Sequence, residues 1–412
     1  MTFSIYHGPP ILPWASDSAT GLLFFYGPPI LPWASDFFTG LRFCHGPPIL
    51  PWASDSAMGL RFFYGPPILE QSRKLFLSSY QSENQAVFSW KLEFFRSLSM
   101  VEDVNYANNC LPNQPSRFLF AYSNDLTGDQ VMDSWNAFAS RSNLFFDSYE
   151  ISRFDRFEEG ALITSDINSM TDGVLHNLPN ATESFPDASY GSDILNIMEW
   201  FLSDPEACGS TMFIIMKRLP NTQDISQMAS LLQQRHSHIT VIISENPSGG
   251  LYQDTMYKLA SQTNGICFFE EDEMFGEASY WLPSIWPLFL VYSVNAKVSG
   301  TESISLPSFN APFNGNYYFG MTLQDHGPLD TFRMLDLKWY NSGSLFSGGC
   351  QETLEHHINW GNDTYIGKGS YQLDAVNYEM TLGFEFSDNK EQILQIRFYS
   401  YDSIDYWLPY DN

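Results

Sequence analysis

A run of apolar residues near the middle of the chain constrains the fold more than any other segment. Residues 118–122 read FLFAY, which is typical of a strand buried on both faces of a parallel sheet. The polar loop Ser123-Asn124-Asp125 follows at once. Thr127 and Gln130 then stand at the spacing of a capping box that begins a helix. This order predicts the opening of an α/β domain, in which ligands bind beyond the carboxyl ends of the strands.

Strands and helices alternate over residues 117 to about 275. The runs TMFIIM, at residues 211–216, and HITVIIS, at residues 238–244, have the composition of central strands. Apolar residues between the runs recur at helical spacing. The pattern predicts a doubly wound, Rossmann-type parallel sheet. We also predict an edge-like strand over residues 143–149 and a solvated turn at the acidic residues 270–273.

The period of the apolar residues changes to two from about residue 284. Apolar side chains occupy every second position in residues 317–323 and again in residues 378–386, as they do in half-buried antiparallel strands. We therefore predict a β-sandwich. Its aromatic residues, such as Tyr318 and Tyr340, could stack on sugar rings or be ordinary surface tyrosines.

The amino terminus is an internal repeat with a period of 19 residues. The sequence HGPPILPWASDSATGLLFF begins at residue 7, recurs with small changes at residues 26 and 45, and breaks off after residue 69. Its prolines break helices and withhold hydrogen-bond donors from sheets, and only the GLLFF or GLRFF segment could pair. We predict a disordered extension; a Pro-rich ligand or spacer is the alternative.

These patterns divide the chain into four segments. They are the low-complexity repeats at residues 1–70, a transitional segment with an amphipathic helix at residues 71–116, the α/β domain at residues 117–280, and the β-sandwich at residues 281–412.

Charge and composition exclude several classes of partner. The chain has 20 Lys and Arg against 47 Asp and Glu, a net charge of −27, which argues against binding to nucleic acid or anionic membranes. No apolar stretch reaches the roughly 18 residues of a membrane span, so we predict no membrane insertion. Asn180 and Asn362 each begin a glycosylation triplet. We expect a secreted, extracellular glycoprotein, although the first residues do not form a recognisable signal peptide.

Several motifs in the second half of the chain resemble a known family. The segments FAYSNDL, CGSTMFIIMK, NPSGG and YKLASQTNGICFF are similar to those of a nematode-expanded family of uncharacterised secreted proteins. Members have a domain like that of von Willebrand factor A (vWA) and a trailing β-domain. The resemblance covers roughly residues 109–412. It implies a domain that binds protein or matrix ligands, often through a divalent metal ion at the carboxyl edge of the sheet.

The metal-binding motif of vWA domains is incomplete after the first strand. The motif there is Asp-x-Ser-x-Ser, and in this chain Ser123 matches the middle position. Ala121 stands in place of the leading carboxylate, and Asp125 stands where the last Ser would be. Because divalent ions prefer several oxygen ligands, the resemblance implies a degenerate site.

Two further positions of the motif are also altered. The position of the vWA Thr falls near Ser192-Asp193, and Lys217-Arg218 replaces the Asp that follows the fourth strand. We expect either cation to pair with Asp125 or Asp193, and we expect no metal and no cofactor. A rearranged oxygen site formed by Ser123, Asp125 and Asp193 is the alternative. The candidate binding residues are Ser123, Asn124, Asp125, Ser192, Asp193, Lys217 and Arg218.

The resemblance also bears on the cysteines. In a vWA-like order the strands that follow Cys110 and Cys208 are neighbours, so both residues would lie at the amino edge of the sheet. The implied arrangement is a disulfide, and two free thiols are the alternative.

The function expected from these observations is non-enzymatic recognition or adhesion. The ligand would be a protein or a glycan, and we identify no catalytic residues. A hydrolase acting at the same edge is one alternative, but the sequence offers no set of nucleophile, base and orienting acid. A non-functional paralogue is another alternative, suggested by the repeats.

Overall fold

The computed structural model describes most of the chain after residue 109 and four short segments before it. The described residues are 2–7, 21–26, 42–45, 61–64, 110–112, 116–141, 146–157, 160–282, 289–358 and 363–410. The chain divides into two units, residues 1–98 and residues 99–412. The helix predicted within residues 71–116 lies outside the described residues.

Four short strands lie in the first 64 residues. They are β1 (Thr2–His7), β2 (Gly21–Tyr26), β3 (Arg42–His45) and β4 (Arg61–Tyr64). β1 ends where the first repeat unit begins, and the other three lie within the repeats. They pair in parallel in chain order, and His7, Tyr26, His45 and Tyr64 stand in register, one repeat apart. The GLLFF-type segments, which the sequence predicts to be able to pair, therefore form strands that pair. Disorder stays a prediction for the intervening residues, which lie outside the described part of the chain.

The second unit begins with a six-stranded sheet and its helices. The strands are β5 (Ser116–Ser123), β6 (Phe146–Phe154), β7 (Ala161–Thr164), β8 (Thr211–Met216), β9 (His238–Ser244) and β10 (Ile266–Glu270). The helices are α1 (Gly128–Arg141), α2 (Ile167–His176), α3 (Ile194–Leu202), α4 (Ser226–Arg235), α5 (Asp254–Gln262) and α6 (Phe275–Tyr280), with short 3₁₀ turns at Pro205–Ala207 and Asp272–Met274. The strand order is β7-β6-β5-β8-β9-β10, and only the β6–β7 pair is antiparallel.

Alternate residues of β5 enter two different cores. Phe118 and Phe120 pack with residues of α1, α2 and α6 on one face, whereas Leu119 and Ala121 pack with residues of α3, α4 and α5 on the other. This burial confirms the prediction from the apolar run. The capping box also forms, because the Thr127 amide donates to Gln130 Oε1 at 2.9 Å.

The prediction of an edge-like second strand is wrong. β6 spans Phe146–Phe154 and lies inside the sheet, between β5 and β7. Its charged residues Glu150 and Arg153 are buried because they have ionic partners: Glu150 pairs with Arg117 at 2.8 Å, and Arg153 pairs with Glu183 at 2.5 Å. The sequence of β6 therefore has the alternation of polar and apolar residues that is typical of a half-exposed strand, although β6 lies inside the sheet.

Eight antiparallel strands and one short helix follow. They are β11 (Phe289–Val298), β12 (Thr301–Asn310), β13 (Gly315–Thr322), β14 (Phe332–Tyr340), β15 (Gly348–Thr353), α7 (Leu354–Ile358), β16 (Tyr365–Leu373), β17 (Asn377–Phe386) and β18 (Gln392–Ser400). They form two four-stranded sheets, β11-β18-β13-β16 and β12-β17-β14-β15. Residues of both sheets, including Phe319, Trp339 and Phe398, share one buried core. The predicted α/β sheet followed by antiparallel β-sheets is confirmed, whereas vWA identity stays an expectation.

The β-sandwich covers the β10 edge of the α/β sheet. Gln395 Oε1 accepts the Cys267 amide at 2.8 Å, and Thr364 Oγ1 accepts the Phe269 amide at 2.9 Å. The Thr364 amide in turn donates to the Phe269 carbonyl at 3.0 Å. These contacts satisfy backbone groups that an open edge strand would leave unpaired, so the α/β sheet and the sandwich form a continuous structure.

Candidate functional site

The loop after β5 is buried rather than open to solvent. Ser123 lies at the carboxyl end of β5 with no exposed surface, and its hydroxyl donates to Asp155 Oδ2 at 2.5 Å. Asp155 follows β6 and has a left-handed backbone, with φ of 64°. Sequence reasoning missed Asp155 because the end of β6 was misplaced.

Asp155 joins Asp193 to the same cluster. The Asp155 amide donates to Asp193 Oδ1 at 2.7 Å. Burial raises the pKa of Asp155 to about 8, and burial also raises the pKa of Asp193. Ser192 begins the neighbouring turn, where its hydroxyl accepts the Ile194 amide at 3.3 Å. A buried acid pair of this kind favours holding a proton.

Asn124 has a structural role at this edge. Its side-chain amide donates to the Asn180 carbonyl at 2.9 Å and to Ser184 Oγ at 2.8 Å, and its Oδ1 accepts the Asn180 amide at 2.9 Å. These bonds fasten the loop that runs from α2 to α3 across the ends of β5 and β6. Asn124, with 1% of its surface exposed, is not available to a ligand.

Asp125 forms the expected ion pair with Arg218. The Arg218 Nε donates to Asp125 Oδ2 at 2.8 Å, and Ser248 Oγ donates to the same oxygen. Arg218 is 3% exposed, and its Nη1 also donates to the carbonyls of Asp187 and Tyr190, both at 2.9 Å. The guanidinium therefore lies between the carboxyl ends of the strands and the overlying loop.

Lys217 does not join this group. Its ammonium pairs with Asp272, beyond the end of β10. Asp272 and Glu270 are 6% and 2% exposed, so the predicted solvated turn at residues 270–273 is partly buried. Burial raises the pKa of Glu270 to about 9 and that of Glu245 to about 7.

Three aromatic residues lie above Arg218 and form what we call the aromatic platform: Phe157, Phe185 and Tyr190. The rings of Phe185 and Tyr190 are stacked with centroids 5.5 Å apart, and the Phe157 ring meets Phe185 edge-on at 5.2 Å. Phe157 is 67% exposed and Tyr190 is 46% exposed. The Arg218 guanidinium lies 5.7 Å from the centroid of Phe185, within the range of a cation–π contact. No local periodicity in the sequence marks these residues.

The amino edge of the sheet carries the disulfide. Cys110 and Cys208 are bonded, with Cα atoms 5.6 Å apart, and the Trp407 indole donates to the Cys110 carbonyl at 3.0 Å. His236 stacks on Trp407 with ring centroids 4.7 Å apart. Within the described ranges, no group of three or more His, Cys, Asp or Glu residues is arranged to hold a metal ion.

The remaining sequence candidates have different outcomes. Asn180 is exposed, and its Oδ1 accepts the Thr182 hydroxyl at 2.9 Å, whereas Asn362 lies outside the described residues. Tyr318 is 3% exposed and therefore cannot stack on a ligand, whereas Tyr340 is 56% exposed. None of the helices in the part of the chain that is described has the length and apolarity needed to cross a membrane.

The family-model match falls within the β-sandwich. Residues 294–401 match a family model described as a domain of unknown function, DUF7154, and the search of curated proteins found no match. One similar solved structure is the C-terminal CBM6 of LamC, a marine laminarinase from Zobellia galactanivorans, with 15% identity, a TM-score of 0.18, and coverage of 27% of this chain and 93% of that chain. Another is the carbohydrate-binding module CBM6cm-2 of Cellvibrio mixtus lichenase 5A in complex with cellotriose, with 13% identity, a TM-score of 0.16, and coverage of 27% and 88%. Likenesses this low assign no ligand, and the family model assigns no activity.

Proposed function

We propose that this chain is an extracellular recognition protein with a vWA-like α/β domain that works without a metal ion. The observation that carries the proposal is the position of Arg218. Its guanidinium pairs with Asp125 in the loop after β5, where the vWA motif places metal ligands. A divalent ion prefers several oxygen ligands, and a fixed positive charge opposes its entry.

The surface that meets the ligand is the aromatic platform. Phe157 and Tyr190 are exposed at the edge where α/β domains bind their ligands, and exposed aromatic residues are typical of recognition surfaces. The Cys110–Cys208 disulfide supports an oxidising, extracellular setting, as does the exposed sequon at Asn180.

The burial of the polar side chains at this edge argues against a catalytic role. Ser123 and Asp155 are the nearest approach to a nucleophile and a base, and both side chains have no exposed surface. A catalytic nucleophile must contact its substrate, and these groups contact the protein interior.

Binding in the presence and absence of metal tests the proposal. The disulfide-bonded protein is applied to arrays of immobilised glycans and extracellular-matrix proteins, once with EDTA and once with magnesium and manganese. We expect the same binding in both conditions, and no heat of metal binding in calorimetry. A micromolar calorimetric signal, or binding that disappears in EDTA, would contradict metal-free recognition. Labelling of Ser123 by a serine-directed activity probe would favour the hydrolase alternative.

A further inference from the structure

The loop that carries Phe185 and Tyr190 is held in place by hydrogen bonds to its backbone. Besides the Arg218 bonds to the carbonyls of Asp187 and Tyr190, Asn221 Nδ2 donates to the Ser189 carbonyl at 2.8 Å and the Gly250 amide donates to the Ala188 carbonyl at 2.9 Å. Four consecutive carbonyls of the loop are thus fixed. A surface ordered before binding loses little conformational entropy when a ligand arrives.

The size of the platform suits a small ligand better than a protein partner. A fully buried aromatic side chain contributes about 150–250 Å². With Phe157 67% exposed and Tyr190 46% exposed, the two rings offer on the order of 250 Å² of contact surface. A stable protein interface needs about 800 Å² on each partner. Two exposed rings are comparable in size to one or two sugar rings.

The charge around the platform excludes anionic ligands. Asp187 lies between the two ring-bearing residues of the loop and is exposed, and its Oδ1 accepts the Ser189 amide at 2.8 Å. Three nearby arginines are buried or largely buried and already paired: Arg153 and Arg156 with Glu183, and Arg218 with Asp125. The exposed charge is therefore negative. A carboxylate also accepts hydrogen bonds from hydroxyl groups.

Resting on the recognition function proposed above, we propose that the aromatic platform binds a neutral glycan. The rings of Phe157 and Tyr190 are nearly perpendicular, at 83°, with centroids 6.3 Å apart. The apolar C–H face of a pyranose ring therefore stacks on Phe157, the more exposed ring, while Tyr190 contacts the edge of the sugar. The Asp187 carboxylate accepts hydrogen bonds from sugar hydroxyls. Small-molecule sites usually combine an apolar surface with a few polar groups.

Calorimetry with defined oligosaccharides tests the assignment. The probes are cellohexaose and chitohexaose as neutral glycans and a heparin hexasaccharide as the anionic comparator. We expect a neutral hexasaccharide to bind and the heparin hexasaccharide not to bind. Because one aromatic contact contributes roughly 1 kcal/mol, we expect Phe157→Ala and Tyr190→Ala each to weaken binding about fivefold. Tyr190→Phe keeps the ring and is expected to retain the affinity.

Tyr340→Ala is the matched control, since Tyr340 is an exposed tyrosine of the β-sandwich. It should leave the affinity unchanged, and circular dichroism should show that all variants are folded.

The assignment is wrong if neither neutral hexasaccharide binds at millimolar concentration, or if Tyr340→Ala weakens binding while Tyr190→Ala does not. The platform variants could instead abolish binding to an immobilised matrix protein for which the oligosaccharides do not compete. That result would contradict the glycan assignment and support the proposed recognition function. If the wild-type protein binds nothing on either array, both proposals fall.

Discussion

Arg218 donates from Nε to Oδ2 of Asp125 over 2.8 Å and joins two loops whose residues are 93 positions apart in the chain. Both side chains are almost fully buried, with 4% and 7% exposed. The pair closes the carboxyl edge between β5 and β8 and fixes the loop that carries Phe185 and Tyr190. The stability of this edge and the geometry of the aromatic platform therefore depend on the same guanidinium.

Arg218→Ala should destabilise the protein strongly. Removing one partner leaves the Asp125 charge buried without a counterion, which costs about 3–5 kcal/mol. Urea unfolding measures the loss. Lys258→Ala is the control, because Lys258 forms an exposed ion pair with Asp254 on α5, and such pairs contribute about 0.3–0.5 kcal/mol. Equal unfolding midpoints for Arg218→Ala and wild type would show that the buried pair is not needed for stability.

The protein should be less stable near pH 8 than near pH 5. Burial raises the pKa of Asp155 to about 8 in the folded protein, whereas an unfolded aspartate has a pKa of about 4. Between these values the folded state binds more protons than the unfolded chain, so the free energy of unfolding falls as the pH rises. Burial raises the pKa of Glu270 and Glu245 as well, which adds to the trend.

Asp155→Asn should reduce this dependence on pH, since the amide cannot ionise and its Oδ1 can still accept the Ser123 hydroxyl. Urea unfolding at several pH values between about 5 and 8 measures the slope. Asp224→Asn is the control. A hydrogen bond from Ser226 lowers the pKa of Asp224, which is exposed, so its titration lies below this range. A slope that Asp155→Asn leaves unchanged would mean that the Asp155 carboxyl is already ionised across it.

Gln395→Ala should weaken the junction between the sheet and the sandwich. Gln395 is fully buried; its Oε1 accepts the Cys267 amide, and its Nε2 donates to the Tyr257 carbonyl at 3.1 Å and to Ser261 Oγ at 2.9 Å. An unsatisfied buried group costs about 1–3 kcal/mol. Denaturant unfolding provides the measurement. Gln227→Ala is the control, since Gln227 is exposed, and it should change the free energy of unfolding by less than about 0.5 kcal/mol. Similar effects of the two variants would contradict the role of Gln395.

Asn180 should carry a glycan when the protein is secreted from eukaryotic cells. The side chain is exposed and the Thr182 hydroxyl donates to its Oδ1, so the triplet is accessible on a surface loop. Mass spectrometry should show the glycan in wild type and in Thr182→Ser, which keeps the acceptor triplet, and should show its loss in Thr182→Ala. An unmodified Asn180 in the secreted wild-type protein would contradict this prediction.

Much of the architecture could be predicted from local pattern. β5, β8 and β9 each contain a largely apolar run, and the burial of these runs on both faces follows from their composition. The strands of the sandwich follow from their period of two. β6 could not be predicted in the same way, because Glu150 and Arg153 are buried only through partners far along the chain.

The candidate site could likewise be predicted in part from the sequence and in part only from the structure. The sequence by itself determined that polar residues follow β5, that Ala121 and not a carboxylate stands two residues before Ser123, and that cations follow β8. Only the tertiary structure decided that Arg218, and not Lys217, pairs with Asp125, and that Asp155, Phe157 and Tyr190 belong to the same edge. The physical reason is that burial and hydrophobic period are properties of neighbouring residues, whereas ion pairs and ring contacts depend on which loops the strand order brings together.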